Sequence, residues 1–271
     1  MDSSEGGLVE IGSARDGAKT TWVAAAGVLG AIVAILGGST VVAVGVASIF
    51  DAVSGSGAAG AHAPGALENV ITARLGVFLL AMQAAALVLT HATARLFWGK
   101  AVRAGQLSLA IPAGGVAVAA RSIAGLLVLA SLYCLGVYLL DPNALIADVQ
   151  VFGSMMRTDT WWVVALPAII GAPLAEETLF RGLGYGVLRV SPLGLTGAAL
   201  VTAFVWAAVH GQYSVYGLLA IFLIGLYLAY VREKTGSLLV PMLCHGVYNG
   251  AIVLLMLWFL QPDGSVPAAG L

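Results

Sequence analysis

Long runs of apolar residues, separated by short polar stretches, dominate the chain. An α-helix needs about 20 consecutive apolar residues to cross the hydrocarbon core of a bilayer. Seven runs approach or exceed this length: Thr21–Phe50, Leu75–Thr93, Ser122–Leu140, Trp161–Arg189, Leu193–His210, Tyr213–Val231 and Ser237–Leu260. The pattern predicts an all-α fold, a polytopic membrane helical bundle.

A shorter apolar stretch, Leu107–Ala120, precedes the third run and contains Pro112. It is short for a membrane span, so we interpret it as an interfacial or re-entrant segment. If it does cross the membrane, the number of transmembrane helices rises from seven to eight.

A second short helix is predicted to start at Asp141-Pro142. Asp is a favoured N-cap residue and Pro a favoured first helical residue. The apolar side chains that follow lie on one helical face: Leu145, Val149, Phe152 and Met156. An apolar face of this kind indicates an interfacial helix lying on the membrane, and an ordinary loop is the alternative.

Composition supports a lipid environment. Of the 271 residues, 60% are hydrophobic and 9% are charged, whereas a soluble domain carries about 25% charged residues. The formal net charge is −1 and no basic stripe is present, so we expect no nucleic-acid partner. The expected partner is the lipid bilayer.

The distribution of Lys and Arg predicts the orientation, because cytoplasmic loops collect these residues. With the N-terminus inside, the outer loops hold Arg74 and Arg157. The inner segments hold more: Arg15, Lys19, Arg95, Lys100, Arg103, Arg189, Arg232 and Lys234. The abundance of Ala, Gly and Val is typical of a GC-rich bacterial genome. We therefore expect a multi-pass protein of a bacterial plasma membrane.

The fourth apolar run carries three ionisable residues, Glu176, Glu177 and Arg181. Ionisable residues inside a membrane span are costly and therefore indicate function. Glu177 and Arg181 are four residues apart and can form an ion pair along the helix. Glu176 points about 140° away from Arg181 at 100° per residue. A desolvated carboxylate without a cationic partner is a strong base, which makes Glu176 a candidate general base.

Two histidines and an asparagine lie in later runs. His210 closes the fifth run, and His245 shares a helical face with Asn249 in the last run. Histidine can hold a proton or donate one, and asparagine can donate to an oxyanion. At 1.5 Å per residue the four side chains lie about 13 to 27 Å above the nearest cytoplasmic helix ends, which permits a shared site for the attack of water on a peptide carbonyl.

These residues resemble the motifs of a known family. Glu176–Arg181 matches EExxxR, Trp206–His210 resembles FxxxH with Trp in place of Phe, and His245–Asn249 matches HxxxN. Phe222–Gly225 is similar to a glycine-containing third motif. In order and spacing they resemble the CAAX prenyl protease and bacteriocin-processing family (CPBP, also called Abi or Rce1-like), over roughly residues 160–255.

The resemblance implies an intramembrane glutamic endopeptidase without a cofactor or a metal. By analogy Glu176 and His210 activate the water, His245 and Asn249 stabilise the oxyanion, and Glu177 and Arg181 support the site. The expected substrate is a membrane-associated protein or peptide.

The resulting division of the chain has four parts. They are a disordered polar cytoplasmic tail (1–20), N-terminal transmembrane helices and loops (21–158), a CPBP-like catalytic helical core (159–260) and a polar tail (261–271).

Two alternatives to a metal-independent protease remain open. Glu176, His210 and His245 form a Glu/His/His set, a known catalytic zinc pattern, so the chain could be a metal-dependent membrane protease. It could also be a non-enzymatic membrane protein that acts in immunity, binds a partner or passes protons or solute along its buried polar residues.

Overall fold

A computed structural model describes residues 5–54, 66–98, 107–153 and 155–259, which form helices and contain no strand. We number the helices along the chain. They are α1 (Glu5–Ser54), α2 (Ala66–Thr93), α3 (Gly115–Leu140), α4 (Pro142–Gly153), α5 (Trp161–Leu188), α6 (Gly194–Ala208), α7 (Val215–Thr235) and α8 (Leu239–Phe259). A π-helical turn, Ala94–Trp98, extends α2. The all-α membrane bundle predicted from the sequence is confirmed.

Each of the seven predicted runs forms a helix. Within the described ranges, six helices are long and apolar enough to cross a membrane, namely α1, α2, α3, α5, α7 and α8. The fifth run forms α6, which has 15 residues and is therefore about 22 Å long at 1.5 Å per residue. This is shorter than the hydrocarbon core of about 30 Å, so α6 spans only part of a bilayer's thickness.

The possible eighth span is not formed by the residues that the structure describes. Residues 107–114 are not helical, and α3 begins at Gly115. Gly114 and Gly115 have φ values of 90° and 54°, a left-handed conformation that glycine adopts without strain. The non-helical segment runs beside the start of α8, where the Leu238 N–H donates to the Ser108 carbonyl.

The structure differs from the prediction for the N-terminal tail and agrees with the prediction for the short helix after α3. Helix α1 begins at Glu5, so from that residue on the expected disordered tail is helical and continuous with the first span. The predicted helix after Asp141 is present as α4, and the Asp141 carboxylate accepts the Asn143 N–H. The polar tail, residues 261–271, lies outside the described residues.

Helix α5 lies at the centre of the bundle and contacts α1, α2, α6, α7 and α8. It has the largest buried share of the six candidate spans, 56% against 39% for the next. Close approach to α8 depends on Gly246, where a Cβ would lie 2.9 Å from the Ile169 carbonyl oxygen. A larger residue at position 246 would therefore push α8 away from α5.

Candidate active site

The central helix α5 is not a regular α-helix at the positions of its polar residues. Two π-helical segments, Pro167–Gly171 and Glu177–Gly184, interrupt it. Pro167 has no N–H for the α-helical ladder, and π-helical segments are frequent at functional sites because they redirect side chains and carbonyl groups. Glu176 ends the α-helical turn between the two segments, and Glu177 begins the second one.

A fully buried charge network is centred on Glu177. Its Oε1 lies 2.9 Å from Nη1 of Arg181 and 3.0 Å from Nδ1 of His245. The side chains of Glu177 and Arg181 are 0% exposed. The predicted ion pair is confirmed, and the structure adds His245 from α8 as a third member. Because the carboxylate beside the permanently charged guanidinium can only accept, the Nδ1–H of His245 donates to it.

Arg181 is also held from α6 and α7. Its Nη2 donates to the Gly225 carbonyl at 3.2 Å, and its guanidinium lies 4.2 Å from the centroid of the Trp206 ring, a cation–π distance. A Cβ at Gly225 would lie 2.9 Å from the Ala203 Cβ. A glycine at position 225, in the third motif, lets α7 approach α6 and brings the Gly225 carbonyl to the Arg181 guanidinium.

Glu176 has a different environment from its neighbour. It is half-buried, and its Oε2 accepts the indole N–H of Trp206 at 2.6 Å. Within the described residues, Oε1 of Glu176 makes no hydrogen bond. The prediction that Glu176 has no partner in its own helix agrees with this geometry, because the single partner comes from α6.

His210 follows the C-terminal end of α6. Its Nδ1 lies 2.8 Å from the Trp206 carbonyl oxygen, and because a carbonyl only accepts, Nδ1 carries the proton. The imidazole ring contacts Trp206 edge-on, with ring centroids 5.5 Å apart, and has Tyr213 on another side at 6.2 Å. In the neutral ring, Nε2 is therefore the basic nitrogen.

Two amide side chains from neighbouring helices bind consecutive carbonyls of the first π-helical segment. Asn249 Nδ2 donates to the Ala168 carbonyl at 2.8 Å, and Gln83 Nε2 donates to the Pro167 carbonyl at 3.2 Å. Asn249, expected to donate to an oxyanion, uses one of its two N–H groups on α5, and the other completes no hydrogen bond within the described residues.

An aspartate that the sequence analysis did not single out supports the loop after His210. Both carboxylate oxygens of Asp148, in α4, accept from Ser214, one from its N–H and one from its Oγ, each at 2.7 Å. Ser214 is the N-cap of α7, where a negative charge is favourable. The signal in the sequence was a single acidic residue within an apolar helix. Burial and the nearby carboxylates of Asp148 and Glu176 raise the pKa of Tyr213 to about 12.

The structure therefore places four of the predicted residues around one ring, that of Trp206, namely Glu176, Arg181, His210 and His245. The Glu176 carboxylate accepts the indole N–H. The rings of His210 and His245 each make an edge contact with the indole, and the centroids of the His245 and Trp206 rings are 5.4 Å apart. His245 contacts Glu177 directly and Glu176 only through Trp206. Asn249 contacts α5 at the Ala168 carbonyl, nine residues before Glu177. In the described part of the chain, no three His, Cys, Asp or Glu side chains are grouped so that they could hold a metal ion.

The fold and the site define a multi-pass helical membrane protein with an interior cluster of two glutamates, an arginine and two histidines. Residues 158–251 match the family model described as type II CAAX prenyl endopeptidase Rce1-like. The match to this Rce1-like model runs from just before α5 into the second half of α8, and the resemblance inferred from the motifs is confirmed.

A curated relative is also similar to part of this chain. The chain is 41% identical over 86 residues to an uncharacterized 24.3 kDa protein of Escherichia coli. The matched stretch is 30% of this chain and 38% of that protein. No solved structure matches the chain. The Rce1-like family supports a membrane-embedded protease.

Proposed function

We propose that this protein is an intramembrane endopeptidase that hydrolyses a peptide bond in a membrane-associated protein or peptide with water activated by Glu176 and His210. The observation that carries the proposal is the contrast between the two adjacent glutamates. Glu177 is fully buried and bound to Arg181 and His245, whereas Glu176 is half-buried and keeps one carboxylate oxygen without a hydrogen bond in the described residues. Oε2 of Glu177 also makes no hydrogen bond in the described residues, but it is buried, so water can reach only the half-buried carboxylate of Glu176.

The first chemical step assigns the proton to Glu176. As the water oxygen attacks the carbonyl carbon, the Glu176 carboxylate accepts a proton from the water. His210 accepts a hydrogen bond from the same water at Nε2, since its Nδ1 is engaged with the Trp206 carbonyl. The proton is then delivered to the amide nitrogen as the carbon–nitrogen bond breaks, which yields a carboxylic acid and an amine.

The oxyanion of the tetrahedral intermediate would be stabilised from α8. The second N–H of Asn249 is one donor, because the first is bound to the Ala168 carbonyl. Nε2 of His245 is the other, with the ring protonated on both nitrogens, because the Nδ1–H is bound to Glu177. Such donors are effective when they are fixed before the reaction. Glu177 and Arg181 act by fixing His245, in the supporting role predicted from the sequence.

The proposed location is a bacterial plasma membrane with the N-terminus in the cytoplasm. The charge distribution of the loops supports the orientation, and the Escherichia coli relative is consistent with a bacterial protein. The proposed partners are the lipid bilayer and a membrane-associated substrate.

The test uses purified protein in lipid nanodiscs and a library of membrane-tethered peptides, with cleavage followed by mass spectrometry. Glu176→Gln keeps an acceptor for the Trp206 N–H but removes the base, so we expect cleavage to disappear while the protein remains folded. Glu68→Gln, at an exposed position of α2, is the matched control and should cleave as the wild type does.

Three other outcomes would favour an alternative to the proposed mechanism. Loss of cleavage with a zinc chelator, restored by added zinc, would favour a metal-dependent protease. Unchanged cleavage in Glu176→Gln would show that Glu176 is not the base. Binding of a peptide without cleavage by wild type and Glu176→Gln alike would favour the non-enzymatic function.

A further inference from the structure

Trp206 contacts every group of the proposed reaction centre except Asn249. Its side chain donates to Glu176, its carbonyl accepts from His210, its ring lies over Arg181 and its edge meets His245. The sequence placed Trp206 only as an aromatic residue at the phenylalanine position of the second motif. A phenylalanine side chain has no hydrogen-bond donor, whereas an indole has one.

We propose that Trp206 is a positioning residue, which uses its indole N–H to fix the Glu176 carboxylate and its backbone carbonyl to fix the His210 imidazole. The proposal rests on the proposed function, since it assigns to Trp206 the alignment of the two groups that activate water. It goes beyond that function because the four site residues alone do not account for how their side chains are held.

The geometry of the carboxylate supports the assignment. The distance of 2.6 Å between Trp206 Nε1 and Glu176 Oε2 is short for an N–H···O hydrogen bond, as expected for a charged acceptor. With Oε2 held, the carboxylate cannot rotate freely, and Oε1 takes one defined position. A general base must lie within hydrogen-bond reach of the proton that it takes, so a fixed Oε1 favours the productive arrangement.

The indole is itself held on several sides, so it can act as a rigid support. Trp206 is 3% exposed, and the Arg181 guanidinium lies over its ring. A Cβ at position 225 would lie 3.1 Å from Cε3 of Trp206. The indole therefore occupies space that a side chain at position 225 would otherwise take. Because these contacts hold the indole ring of Trp206 in place, its N–H has a single orientation.

The backbone contact joins the second partner to the same residue. His210 is four residues after Trp206, and its Nδ1–H donates to the carbonyl that the end of α6 leaves free. The last carbonyls of a helix have no intrahelical partner. The side chain and the carbonyl of one residue thus set the positions of both the carboxylate and the imidazole.

A spectroscopic test examines the hydrogen bond without any need for a substrate. The six tryptophans are labelled with ¹⁵N in the indole ring, and the Trp206 resonance is identified by its loss in Trp206→Phe. We expect its N–H proton to resonate downfield of the others and to move upfield in Glu176→Ala. Trp162→Phe, at a position that is 52% exposed, is the control and should leave the Trp206 resonance unchanged.

A kinetic test examines the role. Trp206→Phe keeps a ring and removes the donor, and a hydrogen bond to a charged group is worth about 1.5–3 kcal/mol. We expect kcat to fall about 10- to 100-fold, with KM within about twofold, because the substrate's binding contacts are unchanged. Replacement of Trp206 by benzothienylalanine, which keeps the shape of the indole without its N–H, should give the same loss of kcat in a protein that remains folded.

The outcomes separate this proposal from the proposed function. A Trp206 resonance that does not respond to Glu176→Ala, or a benzothienylalanine protein with the kcat of wild type, would overturn the positioning role. If Trp206→Phe does not fold, the benzothienylalanine protein, which also lacks the indole N–H, takes its place both in the kinetics and in the identification of the Trp206 resonance. If the wild type cleaves nothing, the proposed function fails, while the resonance in Glu176→Ala shows whether Trp206 holds the carboxylate.

Discussion

His245 Nδ1 lies 3.0 Å from Oε1 of Glu177, the same oxygen that accepts the Arg181 guanidinium at 2.9 Å. One carboxylate oxygen therefore joins α5 to α8 and balances a buried cation. The neighbouring carboxylate of Glu176 makes neither contact. This division of the glutamate pair leads to different expectations for each residue.

Glu177→Gln should destabilise the protein, whereas Glu176→Gln should not. Removal of one partner of a buried ion pair costs about 3 to 5 kcal/mol, because the other charge stays buried without compensation. We expect Glu177→Gln to lower the thermal unfolding midpoint and the yield of monodisperse protein. Glu176→Gln serves as the matched control, since it changes the adjacent carboxylate to the same amide. Equal unfolding midpoints for the two variants would show that Glu177 does not hold the fold together.

Gly225→Ala should disturb the site through packing. Its Cβ would lie 2.9 Å from the Ala203 Cβ and 3.2 Å from the Ala203 Cα, so the α6 backbone has to move. Overpacking of this kind costs about 1 to 3 kcal/mol, and we expect a lower unfolding midpoint together with lower activity. Gly45→Ala in α1 is the control, because a Cβ there meets nothing within 4 Å and alanine favours a helix. A Gly225→Ala protein as stable as wild type would mean that α6 and α7 can separate without cost.

Asn249 and Gln83 bind adjacent carbonyls of α5, but only Asn249 is proposed to donate to the oxyanion. Loss of an oxyanion donor lowers kcat about 100- to 1,000-fold, which is our expectation for Asn249→Ala. Gln83→Leu removes one neutral hydrogen bond, so we expect about 1 kcal/mol of destabilisation and nearly full activity. Similar losses of activity in both variants would indicate that the two amides act by shaping α5 and not by contact with the substrate.

Tyr213 should make the protein sensitive to alkaline pH. Burial, Asp148 and Glu176 raise its pKa from 10.0 to about 12 in the folded protein. The folded state then binds the phenol proton more tightly than the unfolded state, so the contribution to stability is complete below about pH 10 and is lost as the pH rises through about 12.

The measurement for Tyr213 is the unfolding midpoint of wild type and Tyr213→Phe as a function of pH. We expect the wild type to lose more stability than the variant between pH 10 and pH 12. Tyr138→Phe, at an exposed position in α3, should follow the wild type. Parallel curves for wild type and Tyr213→Phe would contradict the raised pKa. Asp148→Asn should reduce the difference, because it removes one of the two neighbouring charges.

Much of the architecture could be predicted because lipid imposes simple constraints on a sequence. The apolar runs had to be helical, since unpaired backbone groups are too costly in hydrocarbon. The Glu177–Arg181 pair followed from their spacing on one helix. The limits of α3 and the helical state of residues 5–20 did not follow, because local hydropathy does not define where a helix ends.

The contacts between helices were beyond the sequence pattern. Spacing along α5 placed Glu176 away from Arg181, but it could not show that Trp206 would supply its hydrogen bond or that His245 would bind Glu177. These contacts depend on the π-helical segments of α5 and on the approach of α6, α7 and α8 at glycines such as Gly225 and Gly246. The FxxxH motif likewise specifies an aromatic residue at position 206, but it does not include the indole N–H that donates to Glu176.

The sequence by itself determined that this chain is a helical membrane protein, and it identified the polar residues that lie within its spans. Hydropathy and spacing suffice for both, because each is a property of one helix in lipid. Only the tertiary structure decided which carboxylate is paired and which keeps an oxygen for water. The pairing depends on the distance and direction of donors on other helices, because the strength of a hydrogen bond changes over a few tenths of an ångström. The order of residues along the chain does not contain these distances.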